Sequence, residues 1–281
     1  MANIVVQGTT SSAGKSLMCT GLCKIFREDG FRVYPFKSQN MSSRYYTTKD
    51  GRKISTAQAL QAMAAGIEPE VNMNPILLIP KSDKGSTVVI KGQEKGEKEA
   101  IEYYKYRSSL KPMILDTYNE IKSQSDIVVI EGAGSSAEIN LKENDIVNMG
   151  MAEMAGAPVL LIADIDRGVF ASLYGTVMLL EPHERARIKG LIVNKFRGDK
   201  SILEPGIKKI EDILNIPVIG VIPYVHLELV DEDSLIDYEK KCNIEPQTPE
   251  EINKELDKLS ELLRKHLDID YIYDIIKKTT E

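Results

Sequence analysis

The chain has 281 residues, 42% of them hydrophobic, and a formal net charge of −6 at pH 7. This length allows one large domain or two small ones, each with a buried core. The acidic balance argues against general binding of nucleic acid, which requires a basic surface, and no apolar run reaches the roughly 18 residues of a membrane-spanning helix.

Short apolar runs alternate with helical stretches along most of the chain. This alternation predicts an α/β fold with a mostly parallel sheet and helices on both faces. Several runs are almost wholly apolar, as strands buried on both faces must be. The predicted strands span residues 4–7, 32–36, 127–131, 158–163, 190–195 and 218–222. The predicted helices span residues 15–28, 55–65, 98–123, 145–155, 169–180 and 202–213.

The segment GTTSSAGKS lies between the first predicted strand and the first predicted helix. This position is typical of a phosphate-binding P-loop, in which backbone N–H groups and the helix dipole surround phosphate oxygens. Lys15 would reach the terminal phosphates of ATP, and the Ser16 hydroxyl would coordinate Mg²⁺. The strict motif fails at its first glycine, where Thr9 stands, and GKS alone is a weak signal. The predicted nucleotide-binding residues of the loop are Thr9, Thr10, Ser11, Ser12, Ala13, Gly14, Lys15, Ser16 and Leu17.

Two of the three cysteines, Cys19 and Cys23, are four positions apart on the helix after this loop. They could serve a metal, but no second pair of Cys or His lies near them in the sequence, which favours a packing role. With Cys242 the cysteines are odd in number and lack disulfide-like spacing. No signal-peptide pattern opens the chain, so the sequence predicts a cytoplasmic protein.

Polar residues follow the second predicted strand directly. Lys37, Ser38, Gln39 and Asn40 offer a cation with amide and hydroxyl donors, which could grip carboxylates beside the γ-phosphate. Lys37 is then a candidate catalytic residue, and Ser38, Gln39 and Asn40 are candidate substrate ligands. A solvated loop is the simpler interpretation of the same four residues.

The third predicted strand ends in Glu131, which is followed by Gly-Ala-Gly. Ligands of an open parallel sheet gather beyond the carboxyl ends of its strands, so we expect Glu131 to face the same crevice as the P-loop. There it would bind Mg²⁺ with Ser16, directly or through water. The alternative is a solvent-facing acid at the end of a strand.

The next two strands also end in polar residues. Asp164, Asp166 and Arg167 could meet substrate or the transferred phosphoryl group, which makes Asp166 a candidate catalytic residue and the other two candidate substrate ligands. Arg167 could equally be an ion-pair partner of Asp166. Asn194, with Lys195 beside it, could read an adenine edge, and the alternative is a turn-forming Asn.

After Tyr224 the sequence becomes acidic and polar, and residues 249–266 carry leucines at helical spacing. A helix that closes an apolar strip is the simpler interpretation, and partner docking is the alternative. We therefore expect a P-loop domain at residues 1–234 and an acidic, partly helical C-terminal segment at residues 235–281.

Several of these segments together resemble cobyric acid synthase, the glutamine-dependent enzyme that amidates peripheral carboxylates of the corrin ring in cobalamin biosynthesis. They run from Val6 to about Ser234 in the family's order. The phosphate loop and the EGAG turn are shared with cobyrinic acid a,c-diamide synthase and dethiobiotin synthetase, but the FKSQNM and EINLKENDIVNMG phrases are not. The segments are VQGTTSSAGKS, YPFKSQNMS, AQALQAMAAGIEPEVNMNPILL, VVIEGAGSSAEINLKENDIVNMG, APVLLIADIDRG, KGLIVNKFRGD and IPVIGVIPY.

The resemblance implies a dethiobiotin synthetase-like P-loop fold and an ATP- and Mg²⁺-dependent amidoligase. ATP would phosphorylate a carboxylate of a cobyrinic acid a,c-diamide-like corrin, and ammonia would displace the phosphate. Family members are about twice as long because a glutaminase domain follows, so we expect ammonia from solution or from a separate glutaminase subunit. Neither Cys242 nor His266 has the context of a glutaminase nucleophile and its partner. The resemblance also implies a homo-oligomer.

Two local departures concern the substrate. The family's IDRGGVFA lacks one glycine here, after Gly168, and its LLKP has Ile79 in place of the lysine. A related carboxylate-activating synthetase of the diamide synthase or dethiobiotin synthetase type is therefore one alternative. A ParA-like switch ATPase is another, but that class carries an additional early lysine in its phosphate loop, where this chain reads QGTTSS.

Overall fold

The computed structural model describes residues 2–81, 85–229 and 248–278. The boundary expected at residues 234 and 235, and Cys242, lie outside these ranges. The strands are β1 (Ala2–Gly8), β2 (Val33–Phe36), β3 (Gln39–Met41), β4 (Tyr45–Thr47), β5 (Lys53–Ser55), β6 (Ile76–Pro80), β7 (Gly85–Ile90), β8 (Gln93–Glu99), β9 (Ile127–Glu131), β10 (Val159–Asp164), β11 (Ile188–Phe196) and β12 (Val218–Pro223). The helices are α1 (Lys15–Glu28), α2 (Thr56–Ala65), α3 (Ala100–Arg107), α4 (Lys111–Gln124), α5 (Met149–Ala155), α6 (Val169–Leu179), α7 (Pro182–Arg185), α8 (Glu204–Leu214), α9 (Pro249–His266) and α10 (Ile269–Lys278).

The main sheet has six parallel strands in the order β12-β11-β10-β1-β9-β2. All six are the strands that the apolar runs predict. Side chains alternate between the two faces, so that Val5 packs in one core layer and Ile4 and Val6 pack in the other. Because the strands are parallel, the carboxyl ends of β1, β9, β10 and β11 meet at one edge of the sheet.

A second sheet, in the order β3-β6-β7-β8, was not predicted. Its β3 and β6 are parallel, whereas β7 is antiparallel to both β6 and β8. Strand β8 reads QEKGEKE and is largely exposed, so it lacks the apolar run by which a strand is recognised. Charged residues of this kind protect an edge strand from pairing with another chain.

Two predicted helices differ most from the expected bounds, while the helices expected at residues 55–65, 169–180 and 202–213 differ by one or two residues at an end. The helix expected at residues 98–123 is divided, because Ser108–Leu110 forms a 3-10 turn between α3 and α4. Pro112 in the first turn of α4 lacks an N–H and suits a helix start, not a helix interior. The helix expected at residues 145–155 begins at Met149, because the Asp145 carboxylate accepts hydrogen bonds from the N–H groups of Val147, Asn148 and Gly150.

The helix expected at residues 249–266 is confirmed as α9, which starts at a capping box of Thr248 and Glu251. Its buried leucines, Leu256, Leu259 and Leu263, join the core layer that α1 covers. A Cβ on Gly21 of α1 would lie 2.2 Å from Leu263 Cδ1, so the two helices pack closely. The unpredicted α10 adds Ile272, Ile275 and Ile276 to the same layer.

Cys19 and Cys23 are fully buried in this layer. Burial raises the pKa of both thiols, which keeps them protonated. Within the described ranges, neither belongs to a group of side chains that could hold a metal ion. In the same ranges, none of the helices combines the length and hydrophobicity that crossing a membrane requires.

Candidate nucleotide and metal site

Strand β1 ends at Gly8, and Thr9 follows it at the position of the first glycine of the strict P-loop motif. The Thr9 N–H still donates to Ile162 O at 3.0 Å and so extends the pairing of β1 with β10. The turn itself contains Ser12 at φ 58° and Gly14 at φ 101°. A Cβ on Gly14 would lie 2.1 Å from Asn194 Nδ2, so both the backbone conformation and the close approach require glycine.

Helix α1 begins directly after Gly14 with no side-chain cap and no acidic residue in its first turn. The positive end of its dipole therefore faces the loop without a carboxylate of its own, an arrangement that favours an anionic ligand. Lys15 is 2% exposed, and its ammonium donates to Thr10 O at 3.0 Å and to Gly134 O at 3.1 Å. The lysine thus lies between the P-loop and the turn after β9.

Glu131 lies next to the start of α1, and the alternative of a solvent-facing acid is wrong. The residue is 1% exposed and pairs in the sheet with Val6. Its Oε1 accepts hydrogen bonds from Ser16 Oγ at 2.8 Å and from Lys37 Nζ at 2.6 Å. Its Oε2 accepts from Gln58 Nε2 at 3.1 Å and from Gln61 Nε2.

The charge of Glu131 is set by two opposing effects. Burial raises the pKa of its carboxyl, but the Lys37 charge and the hydrogen bonds from Lys37, Gln61 and Ser16 outweigh burial and hold that pKa below its usual range. Glu131 is therefore an ionised carboxylate at neutral pH. It stands beside the Ser16 hydroxyl and the uncapped end of a helix.

Lys37, Ser38 and Asn40 are buried and Gln39 is partly buried, so the interpretation of residues 37–40 as a solvated loop is wrong. Ser38 is fully buried and its hydroxyl donates to Ile146 O at 2.5 Å, which places it away from the cleft described below. Asn40 Nδ2 donates to Ser55 Oγ at 2.6 Å, and Gln39 Oε1 accepts from the Tyr103 hydroxyl at 2.6 Å. Gln39 and Asn40 both line the cleft.

The opposite wall of the loop is formed by the ends of β10 and β11. Asn194 Nδ2 donates to Ala13 O at 2.8 Å, so one half of this amide holds the P-loop backbone. Lys195 Nζ donates to Ser12 O at 2.5 Å and forms an ion pair with Asp164 at 3.0 Å. Asn194 and Lys195 thus contact the loop directly, whereas Asp164 is connected to it through Lys195.

Asp166 and Arg167 lie farther from the loop than Asn194 and Lys195. The sequence allowed an ion pair between Asp166 and Arg167, but Asp166 pairs with a different arginine. Asp166 pairs with Arg197 at 2.7 Å, and the Arg197 guanidinium lies 3.9 Å from the centre of the Tyr224 ring. Both members of this ion pair are more than half exposed. Arg167 is exposed in the 3-10 turn that follows β10.

A cavity of about 370 Å³ opens beside Lys15. One wall is the turn after β9, where Asn148 accepts from Ala133 N at 2.9 Å and donates to Ala133 O and Ser135 O. Another wall is the segment Ile139–Asn144, held by Arg107, which donates to Leu141 O at 2.8 Å, and by Lys142, which pairs with Glu184 at 2.9 Å. The lining combines charged residues of both signs with apolar side chains such as Met41 and Leu179. The basic residues are Lys15, Lys37, Arg107 and Lys142, and the acidic ones are Glu138, Asp145 and Glu184.

Sequence analysis missed Gln58, Gln61, Arg107 and Asn148 as residues of this site. The signal for the glutamines is two amides three positions apart in a helix otherwise made of Thr, Ala, Leu and Met. The signal for Asn148 is weaker, because its role depends on the turn that it bridges.

Residues 4–235 match the family described as the CobQ/CobB/MinD/ParA nucleotide binding domain. A protein named cobyric acid synthase from Clostridium acetobutylicum is 56% identical over 244 residues, which cover 86% of this chain and 50% of that protein. One of the same name from Alkaliphilus metalliredigens is 58% identical over 234 residues, covering 83% of this chain and 46% of that protein.

The chain thus spans about half the length of the curated relatives it matches. Among solved structures, a chain of the MinC:MinD cell division protein complex from Aquifex aeolicus aligns with a TM-score of 0.45 and 16% identity. That alignment covers 94% of this chain and 93% of the other.

Proposed function

The chain belongs to the CobQ/CobB/MinD/ParA nucleotide-binding domain family, and on this premise we propose that it uses ATP to activate a carboxylate for amidation. The proposed substrate is a cobyrinic acid a,c-diamide-like corrin, as the name of the 54–58% identical relatives suggests. The observation that carries the proposal is the convergence of Ser16 and Lys37 on Glu131 beside a cleft whose lining includes four basic residues.

The chemistry requires activation because a free carboxylate is a poor electrophile. Transfer of the γ-phosphoryl group of ATP to a carboxylate oxygen gives an acyl phosphate, from which ammonia displaces phosphate to leave an amide. The protein must hold two anions, the terminal phosphate and the carboxylate, close together and neutralise both. A site lined by cations and backbone N–H groups suits that requirement.

Lys15 and the N-terminus of α1 are assigned to the phosphates. Lys15 now donates to two backbone carbonyls, Thr10 O and Gly134 O, and these weak partners can be exchanged for phosphate oxygens. Asn194 and Lys195 are assigned to the nucleotide side of the loop, where they already contact Ala13 and Ser12. The predicted roles of Thr9 to Leu17 in binding the phosphates follow from the same placement.

Ser16 and Glu131 are assigned to Mg²⁺, and the donor set fits that ion. A hydroxyl has one donor and two acceptor sites, so Ser16 can keep its hydrogen bond to Glu131 while a lone pair faces the metal. Hydroxyl and carboxylate oxygens are the ligands that Mg²⁺ prefers, with water in its remaining positions. The ion would neutralise phosphate charge during the transfer.

Lys37 is assigned to the γ-phosphate and the substrate carboxylate. Its charge is paired with Glu131 at 2.6 Å, and a cation that binds Glu131 would release the ammonium toward the anions in the cleft. Gln39 and Asn40 on the cleft wall are assigned to the corrin side. Asp164, Asp166 and Arg167 complete the proposed set at the ends of β10, on the far side of the loop.

The test is to incubate the protein with ATP, Mg²⁺ and an ammonium salt, with and without cobyrinic acid a,c-diamide, and to follow phosphate release and product mass. Supplying ammonium makes the result independent of whether ammonia normally comes from solution or from a separate glutaminase. We expect phosphate release that depends on the corrin, with a mass change for each amide formed. ADP release that is indifferent to any carboxylate would refute the proposal and indicate a switch ATPase.

A further inference from the structure

Helix α2 places two glutamines against the Glu131 carboxylate. Gln58 and Gln61 are both fully buried, and their Nε2 groups donate to the same oxygen, Glu131 Oε2. Gln61 Nε2 also lies 3.5 Å from Ser16 O at the start of α1. Burying two amides is costly unless their polar atoms are paired, so their presence on an otherwise apolar helix calls for an explanation.

The hydrogen bonds that Glu131 Oε2 accepts determine how these amides are oriented. Each glutamine turns its NH₂ group toward that oxygen, so its carbonyl oxygen is left to accept from another group. Neither Gln58 Oε1 nor Gln61 Oε1 has a hydrogen-bond partner among the protein atoms of the described residues. Each such buried acceptor costs on the order of 1–3 kcal/mol unless a donor reaches it.

Water molecules bound to Mg²⁺ would supply hydrogen-bond donors for the two glutamine oxygens. The ion binds few protein ligands and usually keeps several water molecules, which are strong hydrogen-bond donors. Groups that form hydrogen bonds with the ligands of a metal, or with its bound waters, fix the geometry of the site. Each amide oxygen belongs to the same amide group that donates to Glu131 Oε2, so a cation held at that carboxylate would bring its bound water near both oxygens.

We propose that Gln58 and Gln61 are positioning residues of the metal site, which hold Glu131 Oε2 through Nε2 and accept hydrogen bonds from Mg²⁺-bound water through Oε1. This inference rests on the Mg²⁺–ATP part of the proposed function and is independent of the substrate. Because the glutamines hold Oε2, the other carboxylate oxygen, Glu131 Oε1, would be the one that binds the metal together with Ser16.

Hydrogen bonds connect the start of α2 to Asn40, which lines the cleft. Ser55 caps the helix by accepting from Ala57 N at 3.2 Å, and the same hydroxyl oxygen accepts from Asn40 Nδ2. The Ser55 N–H in turn donates to Asn74 Oδ1 at 3.1 Å. These bonds fix where the helix begins, and therefore where its glutamines reach Glu131.

A purely structural role for the glutamines predicts a different result from a positioning role. Loss of packing alone lowers the unfolding temperature and leaves the metal affinity of the folded protein unchanged. Loss of positioning weakens metal binding in protein that is still folded. The readout must therefore be metal affinity, measured apart from turnover.

The test uses the full chain with Gln58→Met and Gln61→Met, which keep side-chain length and remove the amide. Mn²⁺ binding is measured by electron paramagnetic resonance in the presence of a non-hydrolysable ATP analogue, and binding of the analogue alone is measured by calorimetry. We expect each variant to weaken Mn²⁺ binding about 10- to 100-fold, with affinity for the metal-free analogue within about twofold. Met63→Leu is the matched control on α2, because Met63 is partly exposed and its side chain has no N–H or O–H group to donate to Glu131.

A Mn²⁺ affinity within about twofold of the unaltered chain, in variants with a cooperative unfolding transition, overturns the inference. If a Met variant does not fold, Gln58→Asn and Gln61→Asn take its place, since the shortened amide stays polar but no longer reaches the carboxylate. The unaltered chain is titrated first. Absence of metal-dependent analogue binding there would refute the proposed function itself, whereas normal binding without amidation would refute only its substrate.

Discussion

Replacing Lys37 by Met tests the charge arrangement on which the site depends. Lys37 and Glu131 form an ion pair at 2.6 Å whose side chains are 6% and 0% exposed. Removing one partner of a buried pair leaves the other as an uncompensated charge, which typically costs about 3–5 kcal/mol. Ser16, Gln58 and Gln61 still donate to Glu131 in the variant, so we expect a loss near the lower end, about 3 kcal/mol in the free energy of unfolding.

The loss should depend on pH in a direction that the pKa of Glu131 determines. In the unaltered chain that pKa lies below its usual range, so the stability it contributes is present above the unfolded pKa of about 4.3 and is lost as pH falls through the folded value. Without Lys37, burial is the largest remaining influence and raises the pKa. The folded variant then binds a proton more readily than the unfolded chain, so the cost of Lys37→Met should shrink as pH falls from 8 to 5.

Urea unfolding at pH 5, 6, 7 and 8, followed by circular dichroism, measures both effects. Lys49→Met is the matched control, because the Lys49–Glu68 pair is exposed and should give no measurable change at any of these pH values. The double variant Lys37→Met/Glu131→Gln should be more stable than Lys37→Met alone, since it has no unpaired charge. A coupling energy between the two positions below about 0.5 kcal/mol would show that the pair does not act as described.

Three further substitutions address the phosphates, the metal and the C-terminal helices. Lys15→Ala should reduce ATP turnover, assayed as phosphate release, to background while cooperative unfolding persists; retained turnover would exclude Lys15 from the phosphate site. Glu131→Gln should raise the Mg²⁺ concentration for half-maximal phosphate release by about tenfold or more, and an unchanged Mg²⁺ titration would remove Glu131 from the metal site. Leu263→Ala, which empties a buried contact with α1, should cost about 2–5 kcal/mol in urea unfolding; a cost below about 1 kcal/mol would mean that α9 contributes little to the core.

The main sheet was predictable because each of its strands is buried on both faces and so has a nearly continuous apolar run. Residues 158–163 illustrate this, since they require no knowledge of their neighbours to be recognised as a strand. Strand β8 was not predictable, because its stability comes from pairing with β7 while its side chains remain charged and exposed. A pattern of hydrophobicity cannot report a strand that buries almost nothing.

The proximity of Ser16 and Glu131 was predictable for a topological reason. Both residues follow adjacent parallel strands, whose carboxyl ends meet at one edge of the sheet. The glutamines were not predictable in the same way, because no rule of strand order determines which face of α2 lies over that edge. Their position depends on the packing of α2 against α1 and β2, which follows from the tertiary fold.

Buried polar atoms without partners are concentrated at this edge of the sheet. Of the eight such side-chain atoms among the described residues, six belong to Gln7, Thr9, Thr10, Gln58 and Gln61. Gln7 contributes both its amide oxygen and its amide nitrogen, although it is fully buried and borders Gly132. A chain selected for stability alone would place apolar side chains at these positions, because an apolar group of similar shape removes the cost of an unpaired amide. The concentration of this cost around the P-loop and Glu131 supports the proposal that a polar ligand binds there, since departures from local folding rules are expected at functional sites.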